Sequence, residues 1–298
     1  MYRARKVLLL LTSALMIYMA SPVASAMEQH PALAIMSRYK NDLPRMDFFE
    51  PATILFLVLN DLENNREFTA AGNFLRWYLD NLNYPDKHGL TGTIYDYVVI
   101  GDEVRATRKY NSIGATPGLF LHVVHKYVTV TNDKFLIDDN WAKLNDIVYT
   151  IIYLQNKKSG LVRMLPNLDR EMLLDNCLAY LGFKAYNELC SLMDKKKVAL
   201  YESAEKHLYK ILSESYDENY QTFNWLFDDG EDHQAIWEKY YPDSVSQLFA
   251  LYAGLRADEP EITNHLWEKF TAHHAGDMAN KRVEHRIIYE LTKKRLNK

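Results

Sequence analysis

Three carboxylates stand out by their surroundings. Glu50 immediately precedes Pro51 and a strongly apolar run, Asp96 lies between Tyr95 and Tyr97 in a β-rich stretch, and Asp175 interrupts the apolar sequence MLLDNCLAYLGF together with Asn176. A carboxylate in an apolar run is costly to bury unless it is paired or faces a wet cleft. Two carboxyl groups held about 5 to 9.5 Å apart can cleave a glycosidic bond, one protonating the leaving oxygen while the other activates water or attacks. In that chemistry Glu50 or Asp96 is the acid and Asp175 the base. Each residue also has a plainer role open to it. Glu50 suits a helix N-terminus, Asp96 a turn or solvent-facing position, and Asp175 a hydrogen-bonded structural site.

Aromatic side chains accompany the carboxylates in the segments between apolar runs. Tyr95, Trp225 and Trp237 are candidates for stacking on the C–H faces of a sugar, with Asn111, Arg163, Asn176 and Asp228 as hydrogen-bonding partners for its hydroxyls. Packing of those aromatics over helix ends is the alternative. The acidic cluster from Asp228 to His233 lacks the spacing and closing glutamate of a calcium loop. With neither CxxC nor clustered histidines, no metal or other cofactor is expected. Cys177 and Cys190 fall 13 residues apart in one expected helix, which at about 1.5 Å per residue separates them too far for a disulfide.

The elements that must position these residues follow a repeated plan. Apolar helices are expected to begin near residues 51, 117, 171 and 242, and amphipathic helices follow after short turns at 67–82, 135–155, 195–216 and 260–271. Shorter helices are expected at 31–39 and 282–294. Thr116 and Pro117 suit the start of the second apolar helix as its cap and first turn. Longer loops, 83–115, 156–169 and 217–241, join one pair to the next. Such pairs pack side by side in a curved array, each apolar helix burying its surface between neighbours and its outer partner. All the long loops then gather at one face, where a site is expected. Four pairs and two terminal helices make an all-α toroid, complete or incomplete, with short β-rich loops.

The ends and the charge limit the function classes. Arg3, Arg5 and Lys6 precede an apolar run from Val7 to Ala20, and Ala24-Ser25-Ala26 follows, the pattern of a secretory signal cut after Ala26. An uncleaved anchor is the alternative, but the run is shorter than the roughly 20 residues of a spanning helix. The mature chain, 27–298, is then one exported domain, periplasmic or secreted, with no membrane span left. Cleavage leaves 32 Lys and Arg against 39 Asp and Glu, a net charge of −7 that disfavours nucleic acid as a partner.

The segments NSIGATPGLFLHVVHKYVTVTND and MLLDNCLAYLGFKAYNELCSLM resemble the inner helices, running into their turns, of the six-hairpin, or (α/α)-toroid, glycosidase-like proteins. The resemblance covers most of the mature chain. It implies a loop-face cleft for a polysaccharide or oligosaccharide. In the bacterial cellulase-like members an acidic residue at an early helix N-terminus is the general acid, a place that Glu50 occupies here without the surrounding Ser-Glu-Gly-Gln. Where relatives often carry aspartates, this chain reads Asn111-Ser112-Ile113-Gly114. Three functions are therefore open: a glycoside hydrolase, an inactive carbohydrate-binding or assembly subunit of an exopolysaccharide or envelope system, or an α-solenoid that grips a protein partner.

Overall fold

Apolar helices alternating with amphipathic ones close into a ring in the computed structural model. It describes residues 30–101, 103–110, 112–228 and 231–298. The expected signal segment lies outside them, as does Asn111. In chain order the elements are α1 (Pro31–Arg38), β1 (Phe48–Phe49), α2 (Pro51–Glu63), α3 (Phe68–Asp80), β2 (Tyr97–Ile100), β3 (Glu103–Ala106), α4 (Ala115–Thr131), the single turn α5 (Phe135–Asp138) and α6 (Trp141–Leu154). There follow β4 (Glu171–Met172), α7 (Leu173–Leu192), α8 (Ala199–Glu214), β5 (Tyr216–Asp217), β6 (Thr222–Asp228), β7 (Glu231–Gln234), α9 (Val245–Ala253), α10 (Pro260–His274) and α11 (Val283–Arg295).

Five helices form the inner ring, in the order α2, α4, α7, α9, α11, with α11 packing back on α2 to close it. The outer layer comprises α1, α3, α6, α8 and α10. The array is therefore a closed toroid of five helical pairs among the described residues, one pair more than the four expected, because both terminal helices join it.

Its tightest contact is between α4 and α7. Gly118 and Gly182 lie against each other there, and a Cβ on either would overlap backbone of the facing helix. Cys177 and Cys190 are both buried on α7 and unbridged. The start of α4 differs from expectation in its cap. Ser112 Oγ accepts from the Ala115 N–H at 3.2 Å, while Thr116 Oγ1 instead donates to the Ser112 carbonyl at 2.7 Å.

Two small antiparallel sheets shape the loop end of the ring. In one, ordered β1-β2-β3, Phe48 pairs with Val98 and Phe49 with Tyr97. In the other, β4, β5 and β7 all pair with β6, and Glu171 faces Phe227. The first sheet carries the residues around Asp96 over the N-terminus of α2. The second fixes the chain just before α7.

A chamber at the loop end of the ring

Residues of all five inner helices border one chamber of about 110 Å³, four of them through their N-terminal turns. Glu50 and Thr53 enter it from α2, Ala115 from α4, Asp175 from α7, Phe249 from α9, and Glu284 and His285 from α11. Asp96 reaches it from the first loop. Leu119, Leu178 and Phe56 line its apolar part. The chamber brings together Glu50, Asp96 and Asp175, the three carboxylates singled out by sequence.

Asp96 owes its position to strand alternation, which turns Tyr95 and Tyr97 away from it. Tyr97 stacks on Phe49 with centroids 5.2 Å apart, and Tyr95 stacks on Tyr110 at the same distance. The Asp96 backbone is held on both sides, its N–H donating to Lys109 and its carbonyl accepting from Thr107, each at 2.8 Å. The residue is only 9% exposed. Burial, reinforced by the charge of Glu50, pushes its pKa up to about 7.

Asp175 sits in the first turn of α7, buried, and accepts a hydrogen bond from Ser112 Oγ at 3.0 Å. Burial raises its pKa to about 6, with the Ser112 hydroxyl pulling in the opposite direction. Glu50 caps the backbone entry to α2 without a side-chain cap bond, and its carboxylate instead faces the Arg282 guanidinium at 3.3 Å. Arg282 also forks onto Glu284, at 2.9 and 3.3 Å. Thr53 Oγ1 donates to the same Glu284 carboxylate. Burial works against the Glu284 charge, but these donors hold its pKa below the ordinary carboxylate value. His285 is pushed down to about 4 by burial and is neutral, with Nδ1 3.1 Å from the Tyr240 hydroxyl.

Sequence reasoning missed the α11 contribution. Its signal was available: Glu284 and His285 fall among Val283, Ile287, Ile288 and Leu291, which are spaced as one buried helical face.

The expected sugar-binding residues mostly lie elsewhere. Asn176 is fully buried and its amide is consumed by backbone: it accepts from the Val162 N–H at 2.7 Å and donates to the carbonyls of Val162 and Met172, both at 3.0 Å. It ties the second long loop to α7 and has no capacity for a ligand. Tyr95 buttresses Tyr110, which does line the chamber, and its own hydroxyl accepts from the Lys87 N–H at 2.7 Å. Arg163 turns behind the chamber, toward the Leu154 carbonyl at 3.4 Å and Asp169 at 4.0 Å.

Trp225 packs on His233 across the β6–β7 hairpin, and Trp237 stacks on His273. Neither lines the chamber: Trp225 lies on β6, which pairs with β4 and β7 as a sheet, and Trp237 follows β7 and lies against α10. Asp228 ends β6. Asn111 is outside the described residues. Ser112, unselected from sequence, borders the chamber, as does Tyr241, one of the aromatics that the sequence places in the long loops. Among the described residues no group of three His, Cys, Asp or Glu is arranged to hold a metal, and no helix is long and apolar enough to cross a membrane.

No protein-family model and no curated sequence matches the chain. Among solved structures it is similar to a rhamnosidase from Klebsiella oxytoca with rhamnose bound, with a TM-score of 0.61 and 12% identity. The similarity covers 94% of this chain and 53% of that one, so this chain spans about half the length of the structure it matches. At this identity the likeness is one of fold: a mostly α toroid similar to that of a glycosidase.

Proposed function

We propose that the protein is an exported glycoside hydrolase that binds the end of a saccharide in the chamber. The observation that carries this reading is the convergence of Asp96 and Asp175, from different elements, on one chamber beside Glu50. Near neutral pH Asp96 retains its proton in a large fraction of molecules, while Asp175 is mostly ionised above about pH 6. That difference suits an acid and a base working together. Asp96 gives its proton to the leaving oxygen as the glycosidic C–O bond breaks. A water attacks the sugar carbon and passes its proton to Asp175. Proton exchange with solvent then restores both groups.

Glu50 takes a different role from the one expected by resemblance. Paired with Arg282, it supplies the negative charge that helps keep Asp96 protonated. Export rests on the N-terminal sequence alone, and the fold likeness to a glycosidase supports a carbohydrate ligand without naming the sugar.

The test is release of reducing ends from a polysaccharide and oligosaccharide panel by residues 27–298, with Asp96→Asn and Asp175→Asn alongside. The expected result is turnover that falls by about 10²-fold or more in each variant. Saccharide binding without release by the wild type supports the binding-subunit reading of the same chamber. Neither binding nor release anywhere on the panel refutes both.

A further inference from the structure

A second, larger hollow of about 690 Å³ adjoins the chamber, between the segment linking α1 to α2 and the segment leading into α11. The two share Glu50, Thr53, Arg282 and Glu284 as a common wall. On its far side the groove presents Phe48, half-buried, with the Arg45 guanidinium 5.1 Å from the ring centre. Asn41 and Asn280 border it as exposed residues; Asn41 carries no side-chain partner among the described residues, and Asn280 Nδ2 donates to Asp277 at 2.6 Å.

We propose that this groove binds the leaving-group side of an oligosaccharide whose terminal sugar occupies the chamber, so that the enzyme releases single sugars from a chain end. The inference rests on the hydrolase reading above and assigns the part of the substrate that reading leaves open. Its basis is the placement of the shared wall. Carboxyl groups that cleave a glycosidic bond flank that bond. Asp96 and Asp175 line the chamber and not the groove, and Glu50, whose charge reaches Asp96, stands in the wall that the two hollows share. A bond held beside these groups has one sugar in the chamber and continues into the neighbouring hollow.

The sizes agree with that polarity. Ligand sites for larger molecules span roughly 300 to 1,000 Å³, a range the groove reaches and the chamber does not. A chamber of 110 Å³ has no room for more than one sugar. The groove is open, carries an aromatic ring for a sugar face, and offers amides for hydroxyls. It has no wall of its own to set a chain length.

The experiment uses residues 27–298 carrying Asp96→Asn, so that bound substrate survives, and measures binding by calorimetry. The probes are oligomers of one to five units built from glucose, N-acetylglucosamine, xylose and rhamnose. For whichever series binds, affinity should rise by about tenfold or more from one to three units, equivalent to about 1.4 kcal/mol. Phe48→Ala and, independently, the exposed-site variant Asn280→Ala should each reduce the ratio of trimer to monomer affinity at least threefold. Amide shifts on trimer binding should include Phe48, Phe49 and Asn280 as well as Ser112.

Binding whose strength is independent of length, or a trimer advantage untouched by both variants, overturns the groove assignment and leaves the hydrolase reading standing. Release of internal fragments in place of single sugars by the wild type overturns it as well. Failure of every series to bind overturns both.

Discussion

Replacing Asp96 by asparagine should make the protein more stable at pH 8 than the wild type, and the gain should vanish near pH 4. The sign follows from linkage. Asp96 has a pKa raised from 3.8 to about 7 in the folded chain, so between those values the native state holds more protons than the unfolded state. Stability attributable to this group is then fully present below pH 3.8 and is lost as the pH rises through 7. A difference of about three pKa values corresponds to a ceiling of about 4 kcal/mol at 1.36 kcal/mol each. Residual solvent access and relaxation reduce this to roughly 2–3 kcal/mol, a change of about 5–10 °C in Tm for a chain of this size.

Urea unfolding at half-unit steps from pH 4 to 8 measures the effect directly. Asp175, with its pKa raised to about 6, imposes a parallel loss ending about one pH unit earlier, so Asp96→Asn combined with Asp175→Asn should flatten the wild-type slope further. Carboxylates held low, such as Glu284, change their contribution below this window and do not obscure it. Glu50→Gln should recover a smaller part than Asp96→Asn, because burial is the larger cause of the shift and the Glu50 charge the lesser. A stability difference between Asp96→Asn and wild type that stays constant from pH 4 to 8 would refute the account of how the acid is kept protonated.

Three further outcomes are expected. Activity on any substrate found should follow a bell-shaped pH profile with apparent pKa values near 6 and 7, and Glu50→Gln should move the alkaline limb downward while leaving the acidic limb in place. Gly118→Ala and Gly182→Ala should each lower stability by about 2 kcal/mol or more in thermal melts, because the added methyl meets backbone that cannot move aside. Arg282→Met should destabilise by about 1–2 kcal/mol in urea titrations by leaving buried Glu284 without its half-exposed cation, and Glu284→Gln in the same chain should recover most of that loss.

The layered plan was readable because its signals are local. Runs such as PATILFLVLN and the alternation of apolar-all-round with amphipathic segments report burial on all sides or on one, and those patterns survive without knowledge of partners. Asp175 was readable for the same reason, as a charge inside an apolar helix. Ring closure was harder to read, because it depends on α11, whose sequence VEHRIIYELTKKR carries its buried face at Val283, Ile287, Ile288 and Leu291 amid enough charge to pass for an outer helix. The aromatic loop 217–241 misled in the opposite direction. Its tryptophans have the composition of a sugar platform, but pairing of β6 with β4 carries Trp225 off the chamber and Trp237 stacks on His273, and both are long-range contacts. Asn176 shows the limit of composition most plainly, since a polar residue beside a site carboxylate spends all of its amide on backbone.

The polar character of α11 ties the ring's stability to the chemistry of the chamber. A fifth inner helix with an apolar N-terminal turn could close the ring by filling its loop end with side chains, leaving no chamber. Here the closing turn carries Glu284 and His285, and a buried carboxylate costs several kcal/mol unless donors surround it. Thr53 of α2 and Arg282 supply those donors. The Thr53–Glu284 bond therefore fastens the last helix to the first, while Arg282, held by Glu284, reaches Glu50 at 3.3 Å. Glu50 in turn acts on Asp96 through its charge. One connected set of groups thus closes the toroid and sets the protonation of the proposed acid. A substitution in α11 that loosens closure should move the pH dependence of Asp96 as well, whereas one of equal cost at the Gly118–Gly182 contact should lower stability alone.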